Sequence, residues 1–203
     1  MKIPNYLLVI ALVLLQTGCS IGKPTRPSEF YVLSADPGSP VSGRTSGSAP
    51  LSVGLGPVIL PEIYDRPQIV TRTDASQINL SEFDRWGSDL NKDLSRVLGQ
   101  NLMGRLNTDS IVLYPWPGRH KPDFQVTILF FRLDGQLGVN AQLNGIWRLL
   151  DGQKACEIAA HRFSITEPTT GSGYLDFVNA INRGIAALSQ EIAEQVAMTK
   201  PGC

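Results

Sequence analysis

Two histidines and three cysteines are the residues of this 203-residue sequence best suited to metal or nucleophilic chemistry, and their spacing favours neither. Cys19, Cys156 and Cys203 stand far apart, without the paired spacing that zinc or iron–sulfur sites need. His120 sits in Arg119-His120-Lys121, a solvated turn in pattern, with Asp123 a commonplace neighbour. His161 falls within a strand. Neither has a Cys, Asp or second His at metal or triad spacing. Ser172 is flanked directly by Gly171 and Gly173, whereas a nucleophile elbow needs Gly-x-Ser-x-Gly, so this segment reads as a helix start. Glu62 and Asp65 could pair for hydrolysis, yet residues 64–67 look like an ordered turn at a strand end. No GxGxxG or GxxxxGK phosphate-binding pattern occurs. The expectation is a protein without catalytic residues, metal or cofactor.

The covalent chemistry that the pattern does favour lies at Cys19. Met1 and Lys2 form a short positive start, residues 6–15 are a continuous apolar run, and Gln16-Thr17-Gly18-Cys19 closes it. The run is shorter than the roughly 20 residues of a membrane-spanning helix and is flanked as a cleavable signal would be. The arrangement resembles a bacterial lipobox, in which the cysteine is diacylated on sulfur, becomes the first residue by cleavage, and is acylated on its new amine. Gly18 and Thr17 match that pattern; Gln16 stands where Leu is usual. Ser20 resembles the outer-membrane sorting pattern. Residues 1–18 are thus expected as a lipoprotein signal peptide, and residues 19–29 as an acylated cysteine and tether. The folded part is expected to face the periplasm from the inner leaflet of the outer membrane. Acylation of Cys19 would leave Cys156 and Cys203 as a candidate disulfide in an oxidising compartment; the alternative is a buried Cys156 and a free terminal thiol.

Composition agrees with attachment by lipid. Lys plus Arg and Asp plus Glu both number 18, so net charge offers no steering toward nucleic acid or an anionic bilayer. The 42% hydrophobic content suffices for one domain with a real core. Within residues 30–203, residues 30–33 read as a strand, and the Ser-, Gly- and Pro-rich residues 34–50 as a flexible loop. In the next strand candidate, residues 51–60, Val53, Leu55, Pro57 and Ile59 share one side of a period-two pattern. Residues 69–72 form another short strand candidate.

A helix is expected from Ser81, with Asp84 completing a capping box, and with Trp86, Leu90, Leu94, Val97, Leu98, Leu102 and Leu106 as its apolar stripe. Asp89, Lys92, Asp93 and Arg96 are expected mostly beside or opposite that stripe. Gly87 weakens the first turns and allows a later start. Residues 111–114 resume strand up to the turn Pro115-Trp116-Pro117-Gly118. A three-stranded meander then follows, with turns at Asp134-Gly135 and Asp151-Gly152. Phe124, Val126, Ile128 and Phe130 alternate with Gln125, Thr127, Leu129 and Phe131, so both faces of that strand carry apolar residues. Phe177, Val178, Ile181, Ile185, Leu188, Ile192 and Val196 give a long C-terminal amphipathic helix. The expected fold is a single α/β domain, a mixed or mainly antiparallel sheet with helices packed against it.

Tyr31-Val32-Leu33, the run Pro61-Glu62-Ile63-Tyr64-Asp65-Arg66-Pro67-Gln68-Ile69-Val70-Thr71-Arg72, Asp84-Arg85-Trp86 and Tyr114-Pro115-Trp116 together resemble the ABC-type transport auxiliary lipoproteins. This is the PqiC-like (YmbA) family, also called the DUF330 family. The family's Trp-Ala-Glu-Pro-Leu continuation is Trp86-Gly87-Ser88-Asp89-Leu90 here, which removes the Glu from any role. The resemblance implies a non-catalytic accessory of an intermembrane lipid transport system. It implies as partners an MCE-domain protein that forms the periplasmic conduit and an inner-membrane transporter component, with a homo-oligomer as a further expectation. Tyr64, Arg66, Arg72, Arg85, Trp86, Tyr114 and Trp116 are the candidate docking or assembly residues. For each, a structural role is the competing reading: bracing a turn for Arg66, pairing with Asp84 for Arg72, core packing for Trp86. A structural envelope lipoprotein and a lipid-modifying enzyme stay open as alternatives.

Overall fold

The computed structural model describes residues 25–42, 51–116 and 121–202. The signal segment 1–18, Cys19, the first part of the tether, residues 43–50, His120 and Cys203 lie outside the described residues.

Period-two alternation produces the frame. β1 (Glu29–Tyr31), β2 (Val53–Ile59), β3 (Gln68–Arg72) and β4 (Ile78–Trp86) precede α1 (Leu90–Leu106). β5 (Ile111–Leu113) leads to the meander of β6 (Phe124–Gln136), β7 (Asn140–Asp151) and β8 (Glu157–Pro168), and α2 (Tyr174–Met198) ends the order. The larger sheet has the order β5-β2-β6-β7-β8; β2 is parallel to β5 and β6, and the remaining pairs are antiparallel. Phe124, Val126, Ile128 and Phe130 of β6 and Ala141, Leu143, Trp147 and Leu149 of β7 are buried on one face. Gly145 stands among them because the Phe163 ring occupies its place: a Cβ there would lie 2.6 Å from that ring and 2.3 Å from the Leu129 carbonyl oxygen. The space goes instead to an edge-to-face contact of Phe130 and Phe163, with ring centres 5.5 Å apart.

Both helices lie on this sheet and against each other. The stripe of Leu90, Leu94, Val97, Leu98, Leu102 and Leu106 on α1 is buried, as is the expected stripe of α2. Burying two such stripes on one sheet face is what a single-domain core requires.

The expected start of the first helix is overturned. Residues 81–86 belong to β4, and α1 begins at Leu90 with Asp89 as its N-cap, whose side chain accepts from the Lys92 backbone N–H at 2.9 Å. Ser81 and Asp84 do exchange two bonds, one of them of the expected kind: the Asp84 N–H donates to Ser81 Oγ at 2.9 Å, while the Ser81 hydroxyl, in place of its backbone N–H, donates to Asp84 Oδ2 at 2.9 Å. Pairing at the two ends of β4 decides the backbone, Ile78 to Leu80 against β3 and Asp84 to Trp86 against β1. β1 runs parallel to it and β3 antiparallel, giving a separate three-stranded sheet of order β1-β4-β3.

Three further expectations change. In β2 the alternation holds only to Leu55, because the register against β6 shifts between Leu55 and Val58, where Gly56 takes a positive φ. Val58 is then buried and Ile59 exposed. Asp134-Gly135 is not a turn but part of β6, which continues to Gln136, so the hairpin turns at residues 137–139. Finally, residues 34–42 of the expected flexible loop are tied to the helices. The Leu33 and Asp36 backbone N–H groups donate to Asp93 and Asn101 of α1, each at 2.8 Å, and Ser34 donates to Asn182 of α2 at 3.1 Å. The Val41 N–H donates to the Arg105 carbonyl at 2.8 Å. Asp93 and Asn101 are buried to receive this extended backbone, which satisfies polar groups that composition alone leaves without partners.

Cys156, just ahead of β8, is disulfide-bonded. Its expected partner, Cys203, lies outside the described residues.

Candidate functional site

Two of the seven candidate residues meet at an acid that sequence patterning assigns to a turn. Asp134 has no solvent exposure. Its Oδ2 accepts from the Tyr64 hydroxyl at 2.7 Å and from Arg72 Nε at 2.6 Å, and its Oδ1 accepts from Arg132 Nε at 2.5 Å. Tyr64 comes from the turn before β3, Arg72 from the end of β3, and Arg132 and Asp134 from β6. The clamp therefore joins the small sheet to the large one. Arg72 pairs here and not with Asp84, whose carboxylate is met by Ser81, by the Tyr31 hydroxyl at 3.0 Å and by Arg26 at 3.3 Å.

Burial, and then the hydrogen bond to Asp134, pushes the ionisation of Tyr64 above its ordinary value of 10.0. Burial raises that of Tyr31 as well. A raised folded-state value means that the unfolded chain loses these protons first. The stabilisation is fully present below pH about 10 and declines as pH rises further. The urea midpoint is expected to fall as pH rises above about 10, and Tyr64→Phe to make that fall shallower, with Tyr31 still contributing. An identical alkaline limb in the two proteins would exclude Tyr64 as a source.

Trp86 and Arg66 line a cleft of about 320 Å³ between the turn before β3 and the start of α1. Trp86 is buried there, and its backbone N–H donates to the Pro67 carbonyl at 2.7 Å. Core packing is thus what its ring does. The Arg66 Nε atom is buried without a hydrogen-bond partner. This cleft shares Asp65 and Asp89 with a second groove of about 390 Å³, whose apolar lining is Pro57, Val58, Leu113 and Tyr114. Tyr114 is 55% exposed and meets Trp116 edge to face at 5.5 Å. Trp116 also packs over Gly54, where a Cβ would come within 3.0 Å of its ring. Arg66, Trp86 and Tyr114 therefore lie along one connected groove, with Trp116 beside it. Arg85, half-buried on β4 in register with Phe30 and Gln68, lines neither cleft.

Sequence patterning points to neither Asp134 nor Arg132 as site residues. The one available signal is an acid two residues beyond an arginine in a long alternating run. On the side of the large sheet away from the helices, Ile59, Leu129 and Phe131 are exposed. His161 stacks on Trp147 with ring centres 4.6 Å apart, and Trp147 Nε1 donates to Glu191 at 2.9 Å. Among the described residues no group of three or more His, Cys, Asp or Glu could hold a metal, and no helix is long and apolar enough to cross a membrane.

The family model described as ABC-type transport auxiliary lipoprotein component matches residues 31–193. Among solved structures, the crystal structure of an uncharacterized protein aligns with a TM-score of 0.69 at 18% identity, covering 84% of this chain and 99% of that one. The crystal structure of a Xanthomonas campestris protein, described under the DUF330 family model, aligns with a TM-score of 0.71 at 13% identity, covering 84% and 95%. At these identities the likeness is one of fold. A search of curated proteins gives no match.

Proposed function

The chain belongs to the family of ABC-type transport auxiliary lipoprotein components, and from that premise we propose that it is a lipid-anchored outer-membrane protein that docks the periplasmic conduit of an intermembrane lipid transport system. Membership makes it a transport accessory and not an enzyme. The finer reading places acyl chains on Cys19, an MCE-domain protein at the docking face and an inner-membrane transporter component at the far end of the same conduit. Anchoring reduces the search for that partner to a surface, and the residues between Cys19 and Arg26 set the reach. A homo-oligomer would present several docking faces at once.

The observation that carries the reading is the groove beside Tyr114. Its apolar floor of Pro57, Val58, Leu113 and Tyr114 is rimmed by Asp65, Asp89 and Lys92. An aromatic centre that excludes water inside a polar rim is the composition of a docking surface. Of the seven candidates, Tyr114 and Trp116 keep a partner-contact role in this reading. Tyr64, Arg72 and Trp86 act by bracing it, while Arg66 lines its far end.

A photoactivatable residue at position 114 tests this in intact envelopes, with one at position 131 reporting on the open sheet face. Crosslinks from position 114 to an MCE-domain protein are expected. Crosslinks only to peptidoglycan-bound or barrel proteins would replace transport with an envelope-structural role. An MCE crosslink from position 131 alone would move the docking face to Ile59, Leu129 and Phe131.

A further inference from the structure

The solvent side of the Asp134 clamp opens into a polar cleft of about 200 Å³ that docking through Tyr114 does not use. Register builds it. Arg132 and Gln136 flank Asp134 at alternate positions of β6, and Gln142 and Asn140 of β7 stand opposite Asp134 and Gln136. The end of β3 and the turn after it, from Arg72 to Ala75, supply the other wall. One carboxylate held between two guanidinium groups leaves one positive charge in surplus. The hydrogen-bond count agrees. Arg72 spends Nε on Asp134 and Nη1 on the Ala75 carbonyl at 2.8 Å, while Arg132 spends only Nε. Among the described residues both Nη groups of Arg132 and Nη2 of Arg72 have no protein partner.

Asp74 is the other acid at the rim, and its carboxylate serves its own turn. Its Oδ1 accepts from the Ser76 and Gln77 N–H groups at 2.7 and 2.8 Å, and it forms no ion pair with either arginine. Counting it, the cleft and clamp carry two acids and two arginines, so the surplus positive charge is confined to the floor and Asp74 opposes it at the mouth.

The geometry points to a phosphate-binding site in this cleft. Two guanidinium groups carried by different strands call for oxygens on more than one side of the ligand. A tetrahedral phosphate provides three oxygens out of one plane, whereas a carboxylate has two in one plane, and Asp134 already meets the Nε groups of these arginines. The amides of Gln136, Asn140 and Gln142 each offer a donor and an acceptor, which suits hydroxyl groups beside the phosphate. The ligand class is thus a phosphate ester on a small hydroxylated moiety. A free phosphate compound and a glycerophospholipid headgroup share this chemistry.

The test uses the mature lipoprotein in a phosphate-free maltoside detergent and follows the arginine side-chain N–H resonances. The probes are inorganic phosphate, sn-glycerol 3-phosphate and a short-chain phosphatidylglycerol below its micelle concentration. Saturable shifts at Arg72 and Arg132 are expected with at least one probe. Tightest binding of phosphatidylglycerol would assign the lipid headgroup, and tightest binding of either other probe a free phosphate compound. Arg132→Gln, which leaves Asp134 paired with Arg72 and Tyr64, is expected to weaken binding about tenfold. Asp74→Asn keeps the turn, removes the rim charge and is expected to tighten binding by roughly threefold. Absence of saturation with all three probes, or an affinity that neither substitution changes, would overturn the site.

Discussion

Asp134→Ala is expected to lower the free energy of unfolding by about 3–5 kcal/mol, the range found when one partner of a buried ion pair is removed. The wild-type carboxylate has no contact with water and satisfies the Tyr64 hydroxyl and two guanidinium groups. Alanine would leave the Tyr64 hydroxyl, on a buried residue, without its acceptor and two cations facing each other. Arg72 and Arg132 keep side-chain exposures of 23% and 29%, so water would relieve part of their repulsion and hold the cost within that range. Asp134→Asn retains an acceptor of the same shape and should cost less than alanine. With a typical total of about 5–15 kcal/mol, the alanine variant would keep only a thin margin. Urea unfolding followed by tryptophan fluorescence reads this directly. A loss below about 1 kcal/mol would mean that the two sheets are held together elsewhere.

The clamp also shows where sequence reading stops. Asp134-Gly135 is a standard hairpin signal, and no local rule distinguishes it from an acid that continues a strand. The distinction came from Arg72 and Tyr64, more than 60 residues away in the chain, and from the register shift between Phe130 and Arg132. The same holds at Ser81. Its hydroxyl accepts from the Asp84 N–H as a capping box would have it, yet the pairing of Ile78 to Leu80 with β3 and of Asp84 to Trp86 with β1 fixes extended backbone on either side.

What periodicity carries locally was legible. The stripes of Leu90 to Leu106 and of Phe177 to Val196, the alternation of β7, and the turn after Asp151 all appear where the pattern puts them. Residues 34–42 illustrate the opposite case: Ser, Gly and Pro cannot supply a core, but Asp93, Asn101 and Arg105 on a neighbouring helix can hold their backbone. Of the seven candidate residues, the ones with aromatic rings divided by burial. Tyr64 and Trp86 went inward, while Tyr114 stayed exposed. Composition does not reveal that division, because an aromatic ring gains by burial in a core and in an interface alike.

Cys19→Ala is expected to change location completely. The sequence carries no net charge, and among the described residues no helix can span a bilayer, so firm attachment in this reading depends on the acyl chains. Each buried methylene contributes about 0.8 kcal/mol; one chain gives reversible binding, and additional chains make attachment effectively permanent. Alanine has no sulfur to acylate. The variant should therefore appear either released into the soluble periplasmic fraction or retained at full length with its signal uncut. Intact mass and fractionation distinguish these products from the wild type, which should begin at an acylated Cys19. Peptide mapping of the same wild-type sample without reductant should recover Cys156 joined to Cys203, since an acylated Cys19 has no thiol to offer. Unchanged processing and firm retention of the alanine variant, or an unmodified thiol at Cys19 in the native protein, would remove the anchor. Docking from the outer membrane would then lose its physical basis, while the phosphate cleft, which needs no anchor, would stand or fall on its own titration.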